Sequence, residues 1–180
     1  MKEIALHILD IAENGVAAGA KAIAIVVEED LENDRIRIVI KDDGKGMDEH
    51  MVERVTDPFV TSRTTRVAGL GIPFLKAAAE ECNGRLRIAS TPGKGTRLEV
   101  EFQRSHIDRM PLGDLSGTLL ALVVGFQEVD WSFRYRVDGR AFSFDTLPIK
   151  RELEGVPLTE PVVLGYIRKT LQDGIQSVQG

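Results

Sequence analysis

Asp42, Gly44 and Gly46 stand at alternate positions in Lys41-Asp42-Asp43-Gly44-Lys45-Gly46-Met47, directly after the alternating run Arg35-Ile36-Arg37-Ile38-Val39-Ile40. A strand therefore ends in a carboxylate, and a carboxylate accepts hydrogen bonds from planar amines. Glycine lacks the Cβ that disfavours positive φ and keeps a ligand away from the backbone. Taken alone, Asp-x-Gly-x-Gly is equally an ordinary turn. A second set, His7, Asp10 and Asn14, is spaced i, i+3, i+7 beside the apolar stripe of a helical pattern. Polar groups at the margin of a buried face suit a cleft or a solvated flank. In a third set, Gly69-Leu70-Gly71 leads into a helix, and a glycine-rich approach to a helix N-terminus is a ready anion site.

The elements that must position these residues follow from periodicity. Residues 3–18 read as a helix with Ile4, Ile8, Ile11 and Gly15 on one arc, ended by Gly19. Residues 21–27 and 35–40 read as strands, and Asp48 is set to cap a short helix through about Val55. Thr56 to Arg66 has neither period and reads as a loop. Ile72 to Cys82 is helical, with Pro73 in its first turn and Asn83-Gly84 closing it. Residues 85–89 and 96–102 alternate as strands around Thr91-Pro92-Gly93-Lys94-Gly95. Helix, two strands, two helices and two strands predict an α+β fold, a two-layer sandwich with helices on one face of a mixed sheet.

Composition narrows the function classes. The chain has 180 residues, 43% of them hydrophobic and 28% charged, which suits one ordinary domain or one domain with a small appendix. A net charge of −5 gives no broad attraction for nucleic acid or anionic membrane. No signal-peptide core opens the chain, and no apolar run approaches membrane-spanning length, so a cytoplasmic protein is expected. Cys82 is the single cysteine, which excludes internal disulfides and cysteine-cluster metal sites; its Ala-rich helical setting reads as packing.

Familiar nucleotide signatures fail. Gly93-Lys94-Gly95-Thr96 has neither the spacing nor the setting of a P-loop, and a dinucleotide fingerprint would need a glycine where Phe74 stands. No G-x-S-x-G elbow is present. The segments together do resemble the ATP-binding (Bergerat) fold of the GHKL superfamily, shared by DNA gyrase, MutL, bacterial chaperone ATPases and sensor histidine kinases. Asp10 to Ala20 is similar to the N box, Asp42 to Met47 to the first glycine box, and Asp57-Pro58-Phe59-Val60-Thr61 to the F box. Gly69-Leu70-Gly71 and Gly93-Lys94-Gly95-Thr96 are similar to the second glycine box and the closing glycine-threonine element. The resemblance covers residues 1 to about 103.

What the resemblance implies is a site for ATP and Mg²⁺. Asn14 would bind the metal, Asp42 would accept from the adenine amine, and Gly44, Gly46, Met47 and Thr96 would surround the base, with Gly46 letting it approach. Residues 59–71 would form a lid, with Thr61, Arg63 and Arg66 near the phosphates and the amides of Gly69, Leu70 and Gly71 meeting their charge. Hydrolysing members carry Glu one turn before the metal Asn; here that position is Asp10, one methylene shorter, as base or water orienter. A misplacement of about 1 Å can cost ~100-fold in rate. Hydrolysis, phosphoryl transfer to a protein, and binding without turnover, as in a regulatory subunit, therefore stay open. Ser/Thr phosphorylation as in anti-sigma-factor kinases is a further reading. Asn83 to Phe102 looks most like histidine kinases, and Ala18-Gly19-Ala20 more like MutL.

After Phe102 the character changes, and the expected division is a 1–104 ATP-binding domain and a 105–180 α+β module. Residues 104–113 read as a linker. In it, His106-x-x-Arg109-x-Pro111-Leu112 echoes the phosphoacceptor box of histidine kinases, but Ile107 replaces its acid and the Pro and Gly argue against a long helix. Asp114 to Val124 reads as a helix or a buried strand. Trp131 to Val137 and Arg140 to Phe144 read as a hairpin about Asp138-Gly139, with Thr146 and Thr159 capping two closing helices. A partner protein is expected to read the nucleotide state, and a homodimer is an open possibility.

Overall fold

The computed structural model describes residues 3–59 and 71–180. Helix α1 (Ile4–Ala17) buries Ile4, Ala5, Ile8, Ile11, Ala12 and Gly15, as its period requires. It has no side-chain N-cap. Its first amides instead donate to main-chain oxygens, Ile4 to Pro111 at 2.9 Å and Ala5 to Leu112 at 2.8 Å. The stretch expected as a plain linker thus satisfies donors that a helix start leaves open.

Strands β1 (Ala22–Asp30) and β2 (Arg35–Asp42) form an antiparallel pair. Helix α2 (Glu49–Thr56) is capped by Asp48, which accepts from Met51 N at 2.8 Å. Helix α3 (Gly71–Glu81) leads to β3 (Arg85–Thr91) and β4 (Gly95–Gln103). Helix α4 (Leu115–Gly125) settles the helix-or-strand alternative: Asp114 caps it, and Leu115, Leu119, Leu122 and Val123 are buried. Strands β5 (Asp130–Val137) and β6 (Arg140–Asp145), then α5 (Thr146–Leu153) and α6 (Pro161–Gln179), complete the chain.

The six strands form one mixed sheet in the order β3-β4-β2-β1-β5-β6, antiparallel except for β1 beside β5. The registers align Ile88, Leu98, Ile40, Ile25, Phe133 and Phe144 in one row across it. The five from Leu98 to Phe144 are buried. The row one residue along is Arg87, Glu99, Val39, Val26, Arg134 and Ser143. One face is thus apolar, with the helices packed on it, and the other polar.

The sheet also runs across residue 104. The parallel pairing of β5 with β1 carries one continuous core from Ile4 to Val178. Sheet and core are thus continuous across the residue where the sequence changes character.

Two capping expectations are corrected. Asp145, not Thr146, caps α5, accepting from Leu147 N at 2.9 Å. Thr146 is fully buried, and its hydroxyl accepts from Trp131 N at 2.9 Å, because a buried strand amide needs a partner. Thr159 caps nothing; Glu160 precedes α6 without a side-chain cap, and Pro161, at N1 or N2, has no N–H to satisfy. His106 lies in a turn, its Nδ1 accepting from Asp108 N at 3.2 Å, and not on a long helix.

Candidate functional site

The site lies where the C-terminal half of α1 crosses the end of β2. Asn14 and Asp42 line one cavity together with Gly46, Met47 and Thr96, so four of the sequence-predicted groups converge with Asn14. Its remaining walls are largely apolar, including Ile11, Ile40, Val55, Ile72, Ile88 and Leu98. A flat aromatic ligand with one polar edge fits such a lining. These wall residues read from sequence only as core, because nothing in a periodic Ile or Leu marks which end of it stays open.

Asp42 is partly buried. Its Oδ1 accepts from Gly44 N at 2.8 Å, and the Thr96 amide also donates to the carboxylate. Burial still pushes its carboxyl above the ordinary carboxylate range, outweighing those bonds, and the Asp43 charge adds to the rise. Asp43 behaves oppositely. Its Oδ1 accepts from Lys21 N at 2.7 Å and Ala22 N at 3.0 Å, and these bonds hold its carboxyl low.

Gly46 has a φ of 69°, and a Cβ there would meet the Thr91 carbonyl. The glycine box is thereby seated on the β3–β4 turn. Ser90 ties the two together: its hydroxyl accepts from Met47 N at 2.8 Å and donates to Gly95 O at 3.0 Å. Its oxygen lies 2.8 Å from Thr96 Oγ1. Ser90 escaped the sequence reading, since one Ser in an alternating strand carries no mark of this role.

Asp10 lies one turn before Asn14 and outside the lining of the cavity. A Cβ on Gly71, the first residue of α3, would collide with Asp10 Oδ2, so the carboxylate packs against the start of that helix. A carboxylate there is favoured by the helix dipole. His7, the third member of the polar stripe, is not a solvated flank. It is 4% exposed, and its Nδ1 is buried without a hydrogen-bond partner among the described residues. Burial holds its imidazole below the usual histidine range, with Asp10 working the other way. Leaving such an atom unpaired costs roughly 1–3 kcal/mol.

Thr61, Arg63, Arg66, Gly69 and Leu70 lie outside the described residues. Among the described residues no group of three or more His, Cys, Asp or Glu side chains is placed to hold a metal ion. Asn14 offers a single amide oxygen. That donor set fits Mg²⁺ when phosphates bring the remaining oxygens, since this ion takes few protein ligands. No helix among the described residues is long and apolar enough to cross a membrane.

Comparison with known proteins identifies its family and fold. A candidate sensor protein of Shewanella frigidimarina is 35% identical over 85 residues, 47% of this chain and 13% of its own length. Sporulation kinase A of Bacillus subtilis is 24% identical over 104 residues, 58% of this chain and 16% of its own. The chain thus spans less than a fifth of either relative. The solved N-terminal domain of a DNA repair protein shares the fold at a TM-score of 0.58 and 13% identity, over 82% of this chain and 52% of that one. That share exceeds what residues 2–106 amount to, so the common fold takes in part of the C-terminal half. The histidine kinase-, DNA gyrase B- and HSP90-like ATPase family matches residues 2–106, more than half of the chain, and the protein belongs to that family.

Proposed function

We propose that the protein binds Mg·ATP at this site and cleaves its γ-phosphoryl group, coupling nucleotide state to a partner protein in the cytoplasm. The convergence of Asn14, Asp42 and Thr96 on one apolar cavity carries this reading. Asp42 would accept from the adenine amine, and Asn14 would give an oxygen to Mg²⁺, which offsets charge on the phosphates. Thr61, Arg63, Arg66 and the amides of Gly69 to Gly71 would hold the triphosphate. Asp10 would orient a water whose oxygen attacks the γ-phosphorus. The bond to the β,γ-bridging oxygen then breaks, its electron pair leaves on ADP, and Asp10 takes the water's proton.

Coupling has a physical route. Asp43 binds the amides of Lys21 and Ala22; Lys21 O accepts from Asp130 N at 2.8 Å; Lys150 Nζ donates to Asp130 Oδ1 at 3.1 Å. The nucleotide loop is thereby tied to β5 and α5, the part of the chain through which a partner or a second copy would sense it.

One incubation with γ-labelled Mg·ATP tests the reaction, separating free phosphate from label retained on the protein. Catalytic phosphate release that falls steeply in Asp10→Asn, to a measurable residual rate, supports hydrolysis. Retained label makes the protein a phosphotransferase. Tight binding with neither outcome makes it a nucleotide-binding regulator, a reading favoured by the position of Asp10 outside the cavity lining. Wild-type Mg·ATP affinity in Asn14→Ala would overturn the site itself.

A further inference from the structure

We propose that His7 is a positioning residue for Asp10, forming the floor on which that carboxylate rests. The inference builds on the reading of Asp10 as the group that orients the attacking water. His7 precedes Asp10 by three residues, so the two share a helix face. Helical side chains lean toward the N-terminus, which lays the Asp10 carboxylate over the turn that carries His7. On its far side the carboxylate is stopped by the backbone of Gly71. Asp10 is therefore held between an imidazole and the start of α3.

Packing alone gives no reason for a histidine at this position. Its helix neighbours Ile4, Ile8 and Ile11 are buried apolar residues, and a leucine would fill the same space without sealing away an Nδ1 that has no partner among the described residues. A buried polar atom that costs stability and forms no bond calls for a reason beyond the fold. The neighbouring carboxylate supplies one. Asp reaches less far than Glu by one methylene, so its useful position depends on what supports it from behind.

The test compares His7→Leu and His7→Gln with wild type, each alone and in an Asp10→Asn background. His7→Leu is expected to melt no lower than wild type and to bind Mg·ATP with unchanged affinity. It is expected to shift the carboxyl carbon resonance of Asp10 and its side-chain rotamer couplings at neutral pH, and to slow turnover on the order of 10-fold. His7→Gln, which keeps a polar edge, restores part of both. In the Asp10→Asn background His7→Leu adds nothing, because its effect passes through that carboxylate. An Asp10 resonance unchanged by His7→Leu overturns the inference, as does an equal loss of turnover in the Asp10→Asn background. Absence of wild-type turnover defeats the hydrolytic reading instead, and the Asp10 resonance still decides the role of His7.

Discussion

The strands beside the cavity and the β5–β6 edge of the sheet differ in how their polar groups are held. Around β2 and α1, Asp42 is buried at a cost to its charge, His7 holds a nitrogen unpartnered among the described residues, and Gly46 sits in a left-handed conformation. Around β5 and β6 nearly the reverse holds. Thr146 bonds the Trp131 amide, and Trp131 Nε1 donates to Phe126 O at 3.1 Å. The buried Tyr135 hydroxyl donates to Glu29, which Arg104 meets at 3.0 Å. That pairing, after burial, holds the Tyr135 hydroxyl well above its usual range. Unmet polarity in a native core is uncommon. The one sealed nitrogen, on the helix that also carries Asn14, fits a region shaped by function, whereas the β5–β6 edge is shaped for holding together.

Substitutions that separate stability from binding test this contrast. The largest effect is expected at the β5–β6 edge. Trp131→Ala removes a side chain that is 2% exposed and should cost about 3–5 kcal/mol in denaturant melts. The fraction still folded should bind Mg·ATP normally. A loss of affinity in that fraction would mean that the two regions are not separable.

Asp42→Asn should do the opposite. Because the folded state raises the Asp42 carboxyl, the fold binds that proton more tightly than the unfolded chain, and ionisation weakens the fold as pH rises through the raised value. Removing the charge should leave neutral-pH stability unchanged or improved. ATP affinity should fall on the order of 100-fold, since the amide can turn only one acceptor toward an amine. Calorimetry on one sample reads both, and a destabilised Asp42→Asn with intact affinity would reverse the assignment. Gly71→Ala comes next. Alanine favours the helix by up to about 1 kcal/mol, yet its methyl would displace the Asp10 carboxylate. Turnover should fall roughly 10- to 100-fold with the melting temperature held or raised.

Part of the candidate cavity was legible because its signals are local. A glycine pair after a strand-end Asp and a polar stripe beside an apolar one are visible in a dozen residues. Asn14, Asp42, Gly46, Met47 and Thr96 do meet at one cavity. What was not legible depends on partners distant in the chain. The alternation of Trp131, Phe133 and Tyr135 announces a strand, but nothing in it names β1 as its parallel neighbour. Thr146 looks like a helix cap whether or not a buried amide elsewhere claims its hydroxyl. The stripe included His7, but its sealed nitrogen exists only once the core closes over α1.

The smallest expected effect sharpens the comparison most, because it concerns the same strands seen from their other face. On the polar face Glu99 receives Arg37 at 2.9 Å and Arg97 at 2.8 Å, while Glu101 is met by Arg35 at 3.0 Å and Arg85 at 3.4 Å. The bond from Arg37, ahead of the Arg97 contact, pulls the Glu99 carboxyl from 4.5 to about 2. A depressed carboxyl contributes stability that is present above its unfolded value and lost as pH falls through the folded one. Glu99→Gln should therefore cost ~1 kcal/mol at neutral pH, as expected of a largely surface ion network. The difference from wild type should shrink as pH drops from 4.5 toward about 2. ATP binding should not change, because Glu99 faces away from the cavity on β4 while its neighbour Leu98 lines it. If affinity fell with stability, the polar face would take part in binding. If only stability moves, binding belongs to the helix-covered face alone.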